Sequence, residues 1–141
     1  MTLVVDASVV VAALVDSGPI GTWADSLLDS APLAAPHLMP AEAANVLRRA
    51  AAAREISADV GALALVDLTD LPFALFPYQP FASRTWELRA NVTVYDGWYV
   101  ALAEALEAPL ATLDVRLSRA VGPSCRFVVP PSRVPKRRGA H

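Results

Sequence analysis

The stretch Thr2-Leu3-Val4-Val5-Asp6-Ala7-Ser8 decides the fold. Thr2–Val5 reads as a strand whose apolar run, Leu3-Val4-Val5, is closed by Asp6. Ser8–Val15 is helix-compatible, with Ser8 as a plausible N-cap. A second run of this kind, Leu110-Ala111-Thr112-Leu113, is followed by Asp114. Two further acids open helical stretches: Glu42 in Ala41–Arg54 and Asp96 in Tyr95–Leu106. Parallel, neighbouring strands would bring these four carboxylates to the carboxyl edge of one sheet, where ligands gather in α/β folds. Unpaired carboxylates in one place repel each other and call for a cation. Oxygen-only donors suit Mg²⁺ or Mn²⁺ and chemistry on phosphates.

Between these markers, strands and helices alternate. Gly21–Ser30 is helical after the break Ser17-Gly18-Pro19, and Leu33–Ala35 is a short strand. Ser57–Leu68 is a helix capped by Ser57, with Val60, Leu63 and Val66 on an apolar face. Phe73–Phe76 is a strand and Phe81–Ala90 a helix. Val115–Ala120 is a short helix and Arg126–Val129 a last strand. This order predicts an α/β domain with a mostly parallel sheet over residues 1–129. Residues 130–141 read as a flexible basic tail ending in Lys136-Arg137-Arg138.

The bulk numbers agree. A chain of 141 residues with 55% hydrophobic and 18% charged residues is globular. Its mean hydropathy is +0.40, yet no run reaches the roughly 20 apolar residues of a membrane span. The surplus predicts an exposed apolar surface that wants a partner. The Ala-rich helix faces of Ala41–Arg54 and Ser57–Leu68 suit a partner helix or a second copy of the chain. The first residues lack a basic n-region, and the single Cys125 cannot form an internal disulfide. Both features predict a cytoplasmic protein.

Each acid also has an ordinary structural reading. Asp6 and Asp114 would serve as helix caps, and Glu42 and Asp96 as favourable charges in a first helical turn. Against this, Asp96 stands among apolar and aromatic neighbours, where an unpaired carboxylate is costly. Asn45 shares a helix face with Glu42 and would orient it or hold a metal-bound water. Thr112 would point to the same side of its strand as Asp114. The remaining acids, Glu104 among them, read as solvated surface charges. His37 and His141 are the only histidines, which argues against a paired-histidine ribonuclease. There is no G-x-S-x-G elbow, Walker A loop or G-x-G-x-x-G. Trp23, Trp86 and Trp98 read as core or interface packing.

Four segments in order resemble the PIN-domain ribonucleases: Val4-Val5-Asp6-Ala7-Ser8, Pro40-Ala41-Glu42-Ala43-Ala44-Asn45-Val46-Leu47, Tyr95-Asp96-Gly97-Trp98-Tyr99-Val100-Ala101-Leu102-Ala103 and Thr112-Leu113-Asp114-Val115-Arg116-Leu117. In length the chain is similar to the VapC toxins of toxin–antitoxin pairs. The resemblance covers about residues 2–129. It implies a three-layer fold with a four- or five-stranded sheet, and an endoribonuclease dependent on Mg²⁺ or Mn²⁺. Asp6, Glu42, Asp96 and Asp114 match the family's acidic positions, Asp6 and Asp96 being those tied most directly to metal. Ser8, Asn45 and Thr112 match its supporting polar positions. Gly97 departs from the commoner Ala. The family also implies a homodimer, a neutralising antitoxin and a larger toxin–antitoxin complex.

Two other functions fit parts of the chain. A non-catalytic RNA-binding or assembly module would keep the fold without all four carboxylates. A Mg²⁺-dependent phosphatase would want a second Asp two residues after Asp6, where Ser8 stands. The RNA target, the number of metal ions and the choice between ligand and general base for Glu42 are not written in the sequence.

Overall fold

A computed structural model describes residues 1–131. Residues 132–141, which carry most of the expected tail, lie outside the described residues. Five parallel strands form one sheet in the order β3-β2-β1-β4-β5. They are β1 (Leu3–Val5), β2 (Leu33–Pro36), β3 (Phe73–Phe76), β4 (Leu110–Ala111) and β5 (Phe127–Val128). Seven α-helices connect or flank them: α1 (Ala7–Val15), α2 (Pro19–Leu28), α3 (Met39–Ala52), α4 (Ala58–Asp70), α5 (Ala82–Glu87), α6 (Val94–Ala105) and α7 (Val115–Ser118). No single helix among the described residues is long and apolar enough to cross a membrane.

The central strand β1 pairs with β2 on one side and β4 on the other. Val4 sits opposite Ala34 and Leu110, and all three are buried. Branched and small residues on β1 and its neighbours are covered on both faces, as a parallel sheet requires. The chain builds outward from β1 through β2 to β3, then returns to place β4 on the other side. The order therefore reverses between β1 and β4, and open α/β sheets bind ligands at such a crevice.

Several boundaries differ from the sequence reading for local physical reasons. Asp6, and not Ser8, caps α1, its Oδ1 accepting from the Ser8 N–H at 3.4 Å. Helix α3 starts at Met39, because Pro40 in the first turn needs no N–H partner. The expected helix Phe81–Ala90 is shorter: a 3-10 turn at Gln79–Phe81 leads into α5. Strands β4 and β5 are two residues each; the Thr112 N–H still donates to the Val128 carbonyl of β5 at 3.0 Å, and the chain turns toward the site from there.

The apolar helix faces sort differently from expectation. Ala43 of α3 and Ala64 of α4 are buried, while Ala41, Ala52 and Ala62 stay exposed, so the Ala-rich faces are only partly used within the chain. Small side chains let the two helices and α1 approach closely. Four of the five large residues of α4 point outward instead: Leu63 is 67% and Val66 57% exposed, with Val60 and Leu65 also exposed, while Leu68 is buried. Trp86 is exposed as well, with the Arg89 guanidinium 4.5 Å over its ring.

Glu104 is held by protein donors and is not the solvated surface charge expected from the sequence. Arg84 Nε donates to its Oε1 at 2.7 Å, and Arg84 Nη2 to its Oε2 at 3.1 Å. The Ser124 N–H and hydroxyl also donate to Oε2, each at 2.8 Å. Arg84 Nη2 donates further to the Gly122 carbonyl at 2.9 Å. One bidentate pair thus ties α5, α6 and the loop before β5 together.

Burial alone would raise the Glu104 pKa, but Arg84 and Ser124 together hold it below the ordinary carboxylate range. A lowered folded pKa stabilises the protein fully above the unfolded value, and that contribution disappears as pH falls through the folded value. The resistance of the native protein to urea should therefore fall as pH drops below 4.5, the ordinary glutamate value. Glu104→Gln should flatten the profile there and lower stability at pH 7. An unchanged acid limb in the variant would show that the pair contributes nothing.

Candidate active site at the carboxyl edge of the sheet

Asp6 and Thr112 leave adjacent strands at the reversal point. The backbone starts the arrangement, since the Asp6 N–H donates to the Ala111 carbonyl at 3.0 Å. The Thr112 hydroxyl then donates to Asp6 Oδ2 at 2.8 Å. The same hydroxyl oxygen accepts the Asp114 N–H at 3.0 Å. Thr112 is fully buried, so its hydroxyl needs these partners and holds both acids in place. Asp114 also caps α7, Oδ1 accepting from the Leu117 N–H at 3.1 Å. The Ser8 hydroxyl accepts the Leu113 N–H at 3.3 Å and steadies the same turn.

Glu42 lies in the first turn of α3 and Asp96 in the first turn of α6, whose N-cap is Thr93. The Tyr99 hydroxyl donates to Glu42 Oε1 at 2.8 Å. Tyr99 is nearly fully buried, so it presents this single polar atom from an apolar setting. Asn45 does not fill the orienting role expected of it; its Oδ1 accepts from Arg48 Nε at 2.9 Å on the exposed side of α3. Tyr99 was legible in principle, because it follows Asp96 by three positions and so shares a helix face with it.

Electrostatics show that the four acids are one group. Burial raises the Asp96 pKa, and the charges of Asp6 and Asp114 raise it further. Burial also raises Glu42, against the lowering effect of the Tyr99 bond, and Asp6 and Asp96 add to the rise. The Tyr99 hydroxyl is pushed well above its ordinary range by burial and then by the charges of Glu42 and Asp6. The cap bonds and the cluster therefore coexist: Asp6 and Asp114 cap helices and still act on Asp96.

Such a donor set fits a hard cation by its chemistry, since it is oxygen-only, anionic and partly desolvated. Among the described residues, however, no three carboxyl groups already stand as a ready set of ligands. Mg²⁺ is commonly held by one or two carboxylates together with water and substrate phosphate.

Comparison with known proteins agrees with this geometry. The family model for the PIN domain matches residues 3–123. Ribonuclease VapC1 of Mycobacterium tuberculosis is 45% identical over 125 residues, spanning 88% of this chain and 94% of that protein. Ribonuclease VapC9 of the same organism is 40% identical over 129 residues, spanning 92% and 98%. The crystal structure of VapBC2 from Rickettsia felis, bound to a DNA fragment from its promoter, superposes with a TM-score of 0.64. It is 14% identical and covers 92% of this chain and 98% of that one; at that identity the likeness concerns the fold alone.

Because Asp96 is both desolvated and repelled, its charge works against folding when no cation is present. Asp96→Asn keeps a side-chain oxygen for the helix start and removes the charge. In EDTA, its urea midpoint should rise, corresponding to a gain in unfolding free energy on the order of 1 kcal/mol. A lower midpoint would mean that the carboxylate stabilises the metal-free fold.

Proposed function

This chain belongs to the PIN-domain family, among its VapC ribonucleases, and on that premise we propose that it is the endoribonuclease toxin of a type II toxin–antitoxin pair. The observation that carries the reading is the coupling of Asp6, Glu42, Asp96 and Asp114 at the strand-order reversal. The reaction is hydrolysis of an RNA phosphodiester bond, and the dependence on Mg²⁺ or Mn²⁺ is part of the proposal. When bound, such a cation supplies Lewis-acid polarisation of the phosphate and a more acidic water.

The chain's own groups do the rest. Asp6, Asp96 and Asp114 would hold the cation, with Thr112 keeping Asp6 and Asp114 in register. Tyr99 occupies Glu42 Oε1 and so leaves the second carboxylate oxygen for a ligand bond or for a water proton. The buried setting strengthens these interactions over what water would allow. A cytoplasmic place of action suits an RNA substrate and the lone Cys125.

Isothermal calorimetry with Mn²⁺ should show binding that Asp6→Asn and Asp96→Asn each weaken strongly. Total cellular RNA should be cut with Mg²⁺ present and left whole with EDTA. Binding unchanged in both variants would remove the metal site. Cleavage that persists in EDTA would remove the metal dependence.

Association is the second part of the proposal. Leu63 and Val66, with Val60 and Leu65, leave an aliphatic helix face in water, which a second copy of the chain covers in the proposed homodimer. An antitoxin is the further partner, and its arginines would compete with RNA phosphate for the carboxylates. Light scattering at micromolar concentration should give a dimer, and Leu63→Glu should give a folded monomer. A monomeric native protein would defeat the homodimer.

A further inference from the structure

A cavity of about 360 Å³ shares Asp96 and Asp114 with the carboxylate cluster and extends past them to Asn91, Val92, Arg116 and Val121. Its size falls in the range of small-ligand sites, roughly 300–1,000 Å³. Nothing in the hydrolytic chemistry uses its outer part. Its polar groups are nevertheless unspent. The ion pairs among the described residues belong to Arg84, with Glu87 and Glu104, so Arg116 has no acidic partner there. Asn91 lines the cavity and commits its backbone N–H to the Leu88 carbonyl, while its side-chain amide makes no bond to another described residue.

The wall beside Asn91 is rigid by construction. Gly122 adopts a left-handed φ of +115°, and a Cβ there would stand 3.1 Å from Leu88 Cδ2 and 3.9 Å from Asn91 Nδ2. Arg84 holds the Gly122 carbonyl, and Glu104 holds both Arg84 and Ser124. Val121, next in the same wall, is 77% exposed. A large apolar side chain left in water at the rim of a polar cavity is a surface that a flat, apolar-faced ligand would cover.

Resting on the ribonuclease reading, we propose that this cavity is the subsite for one nucleotide flanking the scissile phosphate, with Arg116 on a neighbouring phosphate and Asn91 on the base edge. A phosphate approaching four carboxylates meets repulsion, and Arg116 is the cation placed to offset it. Its planar guanidinium suits two phosphate oxygens at once. An amide carries a donor and an acceptor side by side, which is the pattern needed to read a base edge. Single-stranded RNA can splay a base into such a site, with Val92 and Val121 against its face. Asn91 is thus a specificity-determining residue, and Arg116 a substrate-binding one.

Two measurements test this. First, total RNA is cut by the native protein and by Asn91→Ala, and the cut ends are sequenced. The native protein should prefer one base at a position next to the cut. Asn91→Ala should lose that preference by on the order of tenfold and keep any preference at more distant positions. An identical cleavage profile overturns the role of Asn91. Second, Arg116→Ala should raise KM by about tenfold with kcat little changed, reduce the salt dependence of binding by about one phosphate contact, and be partly rescued by Arg116→Lys. A fall in kcat at unchanged KM overturns the role of Arg116. If the native protein cuts no RNA, the ribonuclease reading fails separately. The subsite is then decided by fluorescence anisotropy with a labelled pool of random single-stranded RNA, where equal affinity of native protein and Arg116→Ala overturns it.

Discussion

The hydrogen bond from Thr112 to Asp6 joins the ends of two strands that are far apart in sequence and adjacent in the sheet. Strand β1 could end in many ways, and so could β4. Once the sheet order reverses between them, their ends face one crevice with a single buried hydroxyl between two acids. That hydroxyl donates to Asp6 and accepts from the Asp114 backbone, so both carboxylates inherit their positions from it. Glu42 and Asp96 are then brought in by helices packed on the same sheet. Burial raises the pKa of both, and the charge of Asp6 adds to the rise.

This arrangement sets stability against function. Glu42 and Asp96, partly desolvated beside the charge of Asp6, raise the free energy of the fold when no cation is bound. Bonds with a second purpose offset part of the cost. Asp6 and Asp114 cap α1 and α7, so each satisfies helix N–H groups while remaining in the cluster. Tyr99 supplies a donor to Glu42 from the core side, where no water would reach. Such double use explains why the cap reading and the functional reading of these acids were never true alternatives.

A similar economy shapes the periphery. The buried residues of α3 and α4 include Ala43 and Ala64, which allow close approach but bury little area per residue, beside Leu47 and Leu68. Val60, Leu63, Leu65 and Val66 of α4 are left for another surface. On the opposite side of the sheet, the Arg84–Glu104 pair does by charge what a small domain cannot do by bulk, fixing the loop that carries Gly122 and Ser124.

Much of the molecule was legible along the chain. Apolar runs ended by acids marked β1 and β4, and alternation of strand and helix implied the parallel sheet, because backbone periodicity and capping act over a few residues. Asp6, Glu42, Asp96 and Asp114 stood out for the same local reason: each sits where an apolar segment starts or stops. The tertiary structure alone decided which groups orient them. Tyr99 is 57 positions from Glu42, and Thr112 is 106 from Asp6, so no local pattern could pair them. It also decided that Asn45 turns to Arg48, that Glu104 is gripped by Arg84, and that Leu63 faces water while Ala64 does not. An apolar stripe on a helix says that some face will be covered. Which face meets the chain's own core depends on how closely its neighbours can approach, and that is settled only when all of them are packed.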